Sequence, residues 1–122
     1  MPYLQKLAQS SPSSKPAFLV TGGLLYEEPF PQLFSLATCK AAQFNLVHSL
    51  YKEFGPKGVH CATVVVGGVV RDDAKVTTAA KVAEEFWSVY SQTKGNWQMS
   101  VKVLDPDYDE MIRGRERSGE VW

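Results

Sequence analysis

The sequence predicts an α/β fold in which about three parallel strands form a sheet with helices packed against it. Short apolar runs at residues 17–21, 59–66 and 97–104 are typical of strands, and the first two are expected to be buried on both faces. Two segments with helical periodicity separate these runs, and short turns containing glycine join them. This order of elements is that of one half of a doubly wound fold.

A helix-length segment at residues 33–54 is the strongest periodic signal in the chain. Gly55 and Pro56 are expected to end this helix, and the proline-rich run before it prevents an earlier helix from continuing into it. Its apolar side chains are expected to extend around more of its surface than one sheet face covers. These side chains are Phe44, Leu46, Val47, Leu50, Tyr51 and Phe54.

The second helix is predicted to begin at Thr77 or Thr78, whose hydroxyl can cap it, and to run for about 15 residues. Its apolar residues share one face, and Trp87, like Trp97, is expected to pack in the core. Residues 2–9 are predicted to form two further helical turns before a linker at 10–16. The charged tail, residues 106–122, is expected to bury little and to be loose at its end.

Composition limits the classes of function. The chain has 122 residues, 44% of them apolar, which fits one soluble domain at 1–122 with its core at 17–105. Thirteen basic residues balance thirteen acidic ones, so no nucleic-acid or membrane partner is expected. No run has the length and apolarity of a membrane span or a signal peptide, which favours a cytoplasmic protein. Cys39 and Cys61 have no metal-ligand spacing, so we expect buried, reduced thiols and no metal site.

Four segments, in order, have the composition and spacing of one known family: the strand AFLVT, the helix CKAAQFNLVHSLYKEFGPKGV, the strand VHCATVVVGGVV, and the final helix and strand KVAEEFWSVYSQTKGNWQMSVKV. Lys40, Glu53, Pro56 and Gly58 keep their order and spacing within this pattern. From residue 17 to about residue 105 the sequence therefore resembles the C-terminal half of a short-chain dehydrogenase/reductase. The resemblance implies a partial Rossmann-like parallel sheet in a truncated, degenerate member of that family.

The catalytic groups that this resemblance implies are a Tyr and a Lys four residues apart on the long helix, with a Ser on the preceding loop. Residues four apart share a helix face, so the ammonium favours the phenolate and brings the phenol into working range. Lys40 occupies the lysine position, but Leu36 stands at the tyrosine position and Gly23 at the serine position. Tyr26 lies on the loop, where no spacing rule places it near Lys40. The reaction of the family is therefore not expected to run in this chain as written.

The resemblance also implies NAD(P) as the cofactor. Lys40, Gly67 and Val69 match positions that contact the cofactor in the family. The Gly-rich turn that holds the pyrophosphate is missing, because such a turn starting at Thr21 would place glycines where Tyr26 and Glu28 stand. We therefore expect this chain alone to bind NAD(P) weakly or not at all.

Three functions remain open. The first is an NAD(P)-dependent oxidoreductase by descent that is inactive unless a missing half or another chain completes it. The second is a non-enzymatic remnant that associates with itself, as a homo-oligomer, or with a related full-length dehydrogenase. The third is a protein that binds a small molecule in the former substrate cleft.

Overall fold

A three-stranded parallel sheet with helices packed on it is found in the computed structural model, which describes residues 1–118. The strands lie side by side in the order β1-β2-β3. The predicted α/β class and the partial Rossmann-like sheet are thus confirmed. In chain order the helices and strands are α1 (Pro2–Ser10), β1 (Ala17–Gly23), α2 (Phe34–Phe54), β2 (His60–Gly67), α3 (Ala79–Tyr90), β3 (Ser100–Leu104) and α4 (Tyr108–Ser118).

The central strand β2 is buried on both faces. Ala62 and Val64 pack with Val89 of α3 in the main apolar cluster. The alternate residues of β2, among them Cys61 and Val65, point to the other face and are also buried. Helix α2, which contacts β1 and β2, covers that second face. The absence of charged residues in this strand therefore follows from its position between two helical layers.

Helices α2 and α3 lie on opposite faces of the sheet although the chain crosses it in one direction, from β1 to β2 to β3. The two strand-helix-strand connections therefore have opposite hands. This arrangement leaves the carboxyl ends of all three parallel strands at one edge of the molecule and their amino ends at the other.

Helix α2 begins within one residue of the predicted start and ends where Gly55 and Pro56 follow, as predicted. Ala37 and Val47 are its fully buried residues. Of the six apolar side chains expected to extend around its surface, only Leu46 is largely exposed, so the sheet and the preceding loop cover the helix more fully than the sequence predicts.

Strand β1 continues through Gly22 and Gly23, which the sequence analysis places after the strand. Gly22 pairs with Val65 in the ladder, and a Cβ on Gly22 would lie only 2.8 Å from the hydroxyl oxygen of Thr63. The missing side chain therefore allows the two strands to stay parallel in register up to Gly23.

Thr78 is the residue that caps α3: its Oγ1 accepts a hydrogen bond from the backbone N–H of Lys81 at 3.2 Å. The hydroxyl of Thr77 instead donates to the carbonyl of Val69. The expectation that Trp87 fills the core is wrong, since this side chain is 68% exposed and lies beside Tyr90. Val82 and Phe86 are the residues of α3 that pack against the sheet with Val89.

Strand β3 starts at Ser100, three residues later than predicted, because Trp97 has a separate packing role. The Trp97 ring stacks on the imidazole of buried His60, with the ring centres 4.8 Å apart and the planes 5° apart. Its Nε1 donates to the carbonyl of Gln92 at 3.1 Å, and its own carbonyl accepts from the Tyr51 hydroxyl at 3.2 Å.

The charged tail is more structured than the sequence analysis predicts, since helix α4 occupies residues Tyr108–Ser118. Asp105 connects this region to the rest of the fold: its carboxylate accepts from the backbone N–H groups of Asp107 and Val76, and it lies 3.4 Å from the hydroxyl oxygen of Thr77. Lys75 and Asp107 form a salt bridge at 2.9 Å. The expectation of a loose end concerns residues 119–122, which lie outside the described residues.

One of the two thiols differs from expectation. Cys61 is fully buried in β2, whereas Cys39 on α2 is exposed.

Within residues 1–118, no helix is both long and apolar enough to cross a membrane.

Candidate functional site

A small apolar cavity lies at the carboxyl ends of β1 and β2, beside the first turn of α2. In open α/β sheets ligands bind at the carboxyl ends of the strands, where the loops that follow the strands diverge. The cavity has a volume of about 120 Å³. Its lining residues are Gly23, Leu24, Leu25, Leu33, Leu36, Val66, Gly68 and Tyr108.

The structure brings Gly23 and Leu36 together in the wall of this cavity. These are the positions that, by the family resemblance, correspond to the serine and the tyrosine. Gly23 has extended backbone angles, φ −142° and ψ 166°, and a Cβ there would meet nothing closer than the Val66 carbonyl oxygen at 3.8 Å. The backbone at Gly23 would therefore accept a serine, and Leu36 is 45% exposed, which leaves room for a tyrosine.

Lys40 lies one helical turn beyond Leu36 and is half-buried. Its Nζ donates to Oε1 of Gln43 at 3.3 Å, within the same helix. Lys40 is not among the residues lining the apolar cavity. The structure thus places two of the three candidate catalytic positions together and leaves Lys40 outside the cavity.

The candidate cofactor residues Gly67 and Val69 are engaged by the protein itself. A Cβ on Gly67 would lie 2.5 Å from Leu104 Cδ2 and 2.7 Å from Leu24 Cδ1, so the missing side chain accommodates the two leucines. The carbonyl of Val69 accepts the hydrogen bond from Thr77 Oγ1 at 2.9 Å. Gly67 is thus packed against two leucines, and the Val69 carbonyl already accepts a hydrogen bond within the chain.

Tyr26, the phenol on the loop between β1 and α2, does not line the cavity. Its ring stacks on Phe44 with the centres 3.9 Å apart and the planes 6° apart. Burial raises the pKa of Tyr26, and the neighbouring Lys102 ammonium opposes that shift. Lys102 itself forms a 2.6 Å salt bridge with Glu27. These contacts hold Tyr26 over the middle of α2 and away from Leu36.

Tyr108 is the residue of this site that the sequence analysis missed. It is the first residue of α4 and the only ionisable side chain among the described residues that line the apolar cavity. Burial raises its pKa, and the carboxylates of Glu28 and Asp109 raise it further, so the phenol is neutral at physiological pH. Pro106 and the acidic residues after Tyr108 are helix-start signals that would have predicted α4.

Two wider cavities adjoin the apolar one, and Tyr108 lines both. The first, of about 260 Å³, lies between the loop after β2 and the start of α4, and Arg71, Lys75, Asp105 and Asp107 are in its wall. Because Lys75 pairs with Asp107 and Arg71 pairs with Asp73, the charges around it are largely balanced. The second, of about 360 Å³, lies between α4 and the loop before α2.

No protein-family model matches the sequence, and no curated protein matches it. Among solved structures, a short-chain dehydrogenase from Rhodopseudomonas palustris superposes with a TM-score of 0.62 and 20% identity, over 82% of this chain and 43% of that chain. The fold is short-chain-dehydrogenase-like. The chain spans less than half the length of that short-chain dehydrogenase, and at this identity the likeness concerns the fold alone.

The apolar cavity has limited chemical capacity. Its walls are aliphatic except for the Tyr108 phenol, so an apolar group of a few heavy atoms would be desolvated there. A neutral phenol can donate one hydrogen bond to such a guest. No group at the positions of Leu36 or Gly23 is able to transfer a proton or polarise a carbonyl.

Proposed function

We propose that this short-chain-dehydrogenase-like chain is an NAD(P)-dependent oxidoreductase by descent that does not carry out a reductase reaction by itself. The observation that supports this is the pairing of Gly23 with Leu36 in one apolar cavity. A carbonyl placed there would meet aliphatic side chains where proton transfer requires a phenol and polarisation requires a hydroxyl. Lys40 has no phenol one turn away on its helix to activate.

The cofactor would have to be supplied by something beyond these residues. The 122 residues contain no Gly-rich turn of the dinucleotide-binding type, and Gly67 and Val69 are engaged by Leu24, Leu104 and Thr77. We therefore propose that the chain alone does not hold NAD(P) at micromolar concentrations. Hydride transfer needs a donor positioned against the substrate, and the missing contacts remove that positioning.

Restoring the two missing groups tests this proposal. The double variant Gly23→Ser with Leu36→Tyr should fold, because the backbone at Gly23 is extended and Leu36 is partly exposed. It should show no NADPH-dependent reduction of a panel of aldehydes and ketones, since no hydride donor is held in place. NADPH absorbance follows turnover, and calorimetry follows binding to both the variant and the parent chain.

Circular dichroism and a thermal melt of the double variant serve as the folding control. Turnover of any carbonyl by the folded variant would show that the chain holds the cofactor by another route. Micromolar binding of NADPH to the parent chain would overturn the cofactor part of the proposal.

A second candidate function is association without catalysis, as a homo-oligomer or with a related dehydrogenase. Its support is the free edge of β1: in the described part of the chain, Ala17–Gly23 pairs with β2 on one side only, and this strand carries no charged residue or proline. Such an edge offers backbone donors and acceptors to another strand. Light scattering over a dilution series tests this candidate.

We propose a cytoplasmic location for the protein. The exposed, unbridged thiol of Cys39 fits that location, where thiols stay reduced.

A further inference from the structure

A lysine stands in the connection before each strand of the sheet. Lys15 precedes β1, Lys57 precedes β2 and Lys94 precedes β3. Because the strands are parallel, their amino ends meet at one edge of the molecule, opposite the edge that carries the apolar cavity. The topology therefore gathers three ammonium groups that lie about 40 residues apart in the sequence.

These three lysines line one cleft of about 500 Å³. We call it the lysine cleft; its other lining residues include Pro12, Pro56 and Trp97. None of the described residues that line it is acidic. Lys57 pairs with Glu53 beside the cleft, whereas Lys15 and Lys94 form no salt bridge with any residue in the described part of the chain. A chain with no net charge thus has a local excess of positive charge in a concave surface.

Trp97 provides a rigid aromatic wall in the cleft. Its indole is held by the stack on His60 and by the hydrogen bond from Nε1 to the Gln92 carbonyl. Burial lowers the pKa of His60, so the stacked imidazole is neutral near pH 7 and adds no charge behind the ring. A second cleft of about 270 Å³ shares Trp97, Pro56 and Lys94 and adds Lys52.

Lys15 also has a backbone that is uncommon for a residue other than glycine. It is the positive-φ non-glycine residue of the described chain, with φ 53° and ψ 60°. Such a conformation is unfavourable for a residue with a side chain and is held by its surroundings. Here it lies directly before Pro16 and places Lys15 in the wall of the lysine cleft.

We propose that the lysine cleft binds a small molecule that carries a phosphate or carboxylate group on an aromatic body. Ammonium groups form charge-assisted hydrogen bonds with such anions, and Trp97 and the two prolines offer an apolar surface to a ring. The volume lies in the range of small-molecule sites, and the concave shape favours a compact ligand over an extended chain. This binding is independent of the apolar cavity and of any oxidoreductase chemistry.

The experiment uses 1-naphthyl phosphate as the probe, titrated into the 122-residue chain by calorimetry. 1-Naphthol serves as the uncharged analogue and inorganic phosphate as the anion without a ring. We expect naphthyl phosphate to bind at least about tenfold more tightly than either analogue and to weaken as salt is added. In ¹H–¹⁵N spectra the indole N–H signal of Trp97 should shift while that of exposed Trp87 should not.

A matched pair of variants tests the site. Lys15→Gln with Lys94→Gln removes two charges from the lysine cleft, whereas Lys75→Gln with Lys81→Gln removes two charges elsewhere. The first variant should bind the probe about tenfold more weakly, and the second should bind it like the parent chain. Equal losses in the two variants, no binding of naphthyl phosphate below millimolar concentration, or equally tight binding of either analogue would each overturn the proposal.

Discussion

At the scale of single residues, Leu36 and Gly23 determine what the cavity at the carboxyl ends of the strands can do. Both line the same apolar wall, and neither carries a group that donates or accepts a proton. The nearest lysine on α2, Lys40, is engaged with Gln43. Among the described residues that line the wall, the only ionisable group is the phenol of Tyr108, whose raised pKa keeps it neutral. These side chains suit the desolvation of an apolar group, which agrees with the proposal that the chain alone does not reduce carbonyls.

The two thiols should react at different rates. Burial raises the pKa of Cys61 to about 11, so at pH 8 only roughly one molecule in a thousand carries the thiolate that reacts. Cys39 is exposed on α2. Iodoacetamide should therefore label one thiol per folded chain, and peptide mapping should locate it at Cys39. Labelling in denaturant, where both thiols should react, is the control; fast labelling of Cys61 in the folded chain would contradict its burial.

The buried His60 should make stability depend on pH. Burial lowers the pKa of His60, against the opposing effect of its hydrogen bond to Gln98, while in the unfolded chain the pKa is near the ordinary value of about 6.5. Below that value the unfolded state binds more protons than the folded state, so stability falls as pH decreases from about 6.5 toward the lower folded pKa. The free energy of unfolding from urea titrations at a series of pH values measures this effect.

His60→Gln should flatten that pH dependence, and His48→Gln on α2 is the matched control. The informative quantity is the slope of stability against pH, because loss of the His60 stack on Trp97 lowers stability at every pH. An unchanged slope in His60→Gln would assign the pH dependence to other groups.

At the scale of elements, the central strand β2 is the element against which most of the described fold packs. It is the only strand of the described sheet with a strand on each side and a helix on each face. Helix α2 makes most of its sheet contacts through it, helix α3 contacts it and both neighbouring strands, and its residues Ala62 and Val64 belong to the main apolar cluster. A substitution that leaves a cavity in β2 is therefore expected to weaken the packing of both helical layers.

Val64→Ala should lower the free energy of unfolding by about 2 kcal/mol, since it removes two methyl groups from a fully buried site and leaves a cavity. Val70→Ala is the matched control, because Val70 is 49% exposed, and it should change stability by less than about 0.5 kcal/mol. Urea unfolding with an unchanged m-value is the measurement. Similar losses in the two variants would mean that β2 is not packed as described.

At the scale of the whole molecule, the outer strand β1 leaves one side edge of the described sheet open for association. His60 N–H donates to the carbonyl of Pro16, so alternate residues from Phe18 onward face β2. The backbone groups of Leu19 and Thr21 then face the open edge, and Phe18 beside them is 38% exposed. We expect this edge to pair with a second copy of the chain.

Thr21→Pro should reduce self-association. The substitution removes an N–H that faces the open edge and leaves the hydrogen bonds to β2 in place, a position where an edge strand tolerates proline. Thr21→Val, which keeps the N–H, is the control. Light scattering should give a mass that falls on dilution for the parent chain and for Thr21→Val, and a mass near one chain for Thr21→Pro. A parent chain that is monomeric at every concentration would contradict the expectation, and persistent association of folded Thr21→Pro would place the interface elsewhere.

The sequence predicted most elements because their signals are local. The period of α2, the apolar runs of the strands and the cap of α3 each depend on residues within a few positions of one another. The predicted burial of Trp87 and Cys39 was wrong, because the periodicity of a helix does not say which part of its surface meets the sheet. The sequence analysis also missed α4, whose attachment depends on Asp105 reaching Val76 and Thr77, nearly thirty residues earlier.

The sequence by itself determined the class of fold, and through the family resemblance it predicts that Leu36 and Gly23 stand where a reductase would need a phenol and a hydroxyl. Only the tertiary structure decided that Gly23, Leu36 and Tyr108 share one cavity and that Lys15, Lys57 and Lys94 share another. The physical reason is that strand pairing sets the distances between these residues. Parallel strands bring their amino ends together and their carboxyl ends together, so groups far apart in the chain become neighbours at each end of the strands.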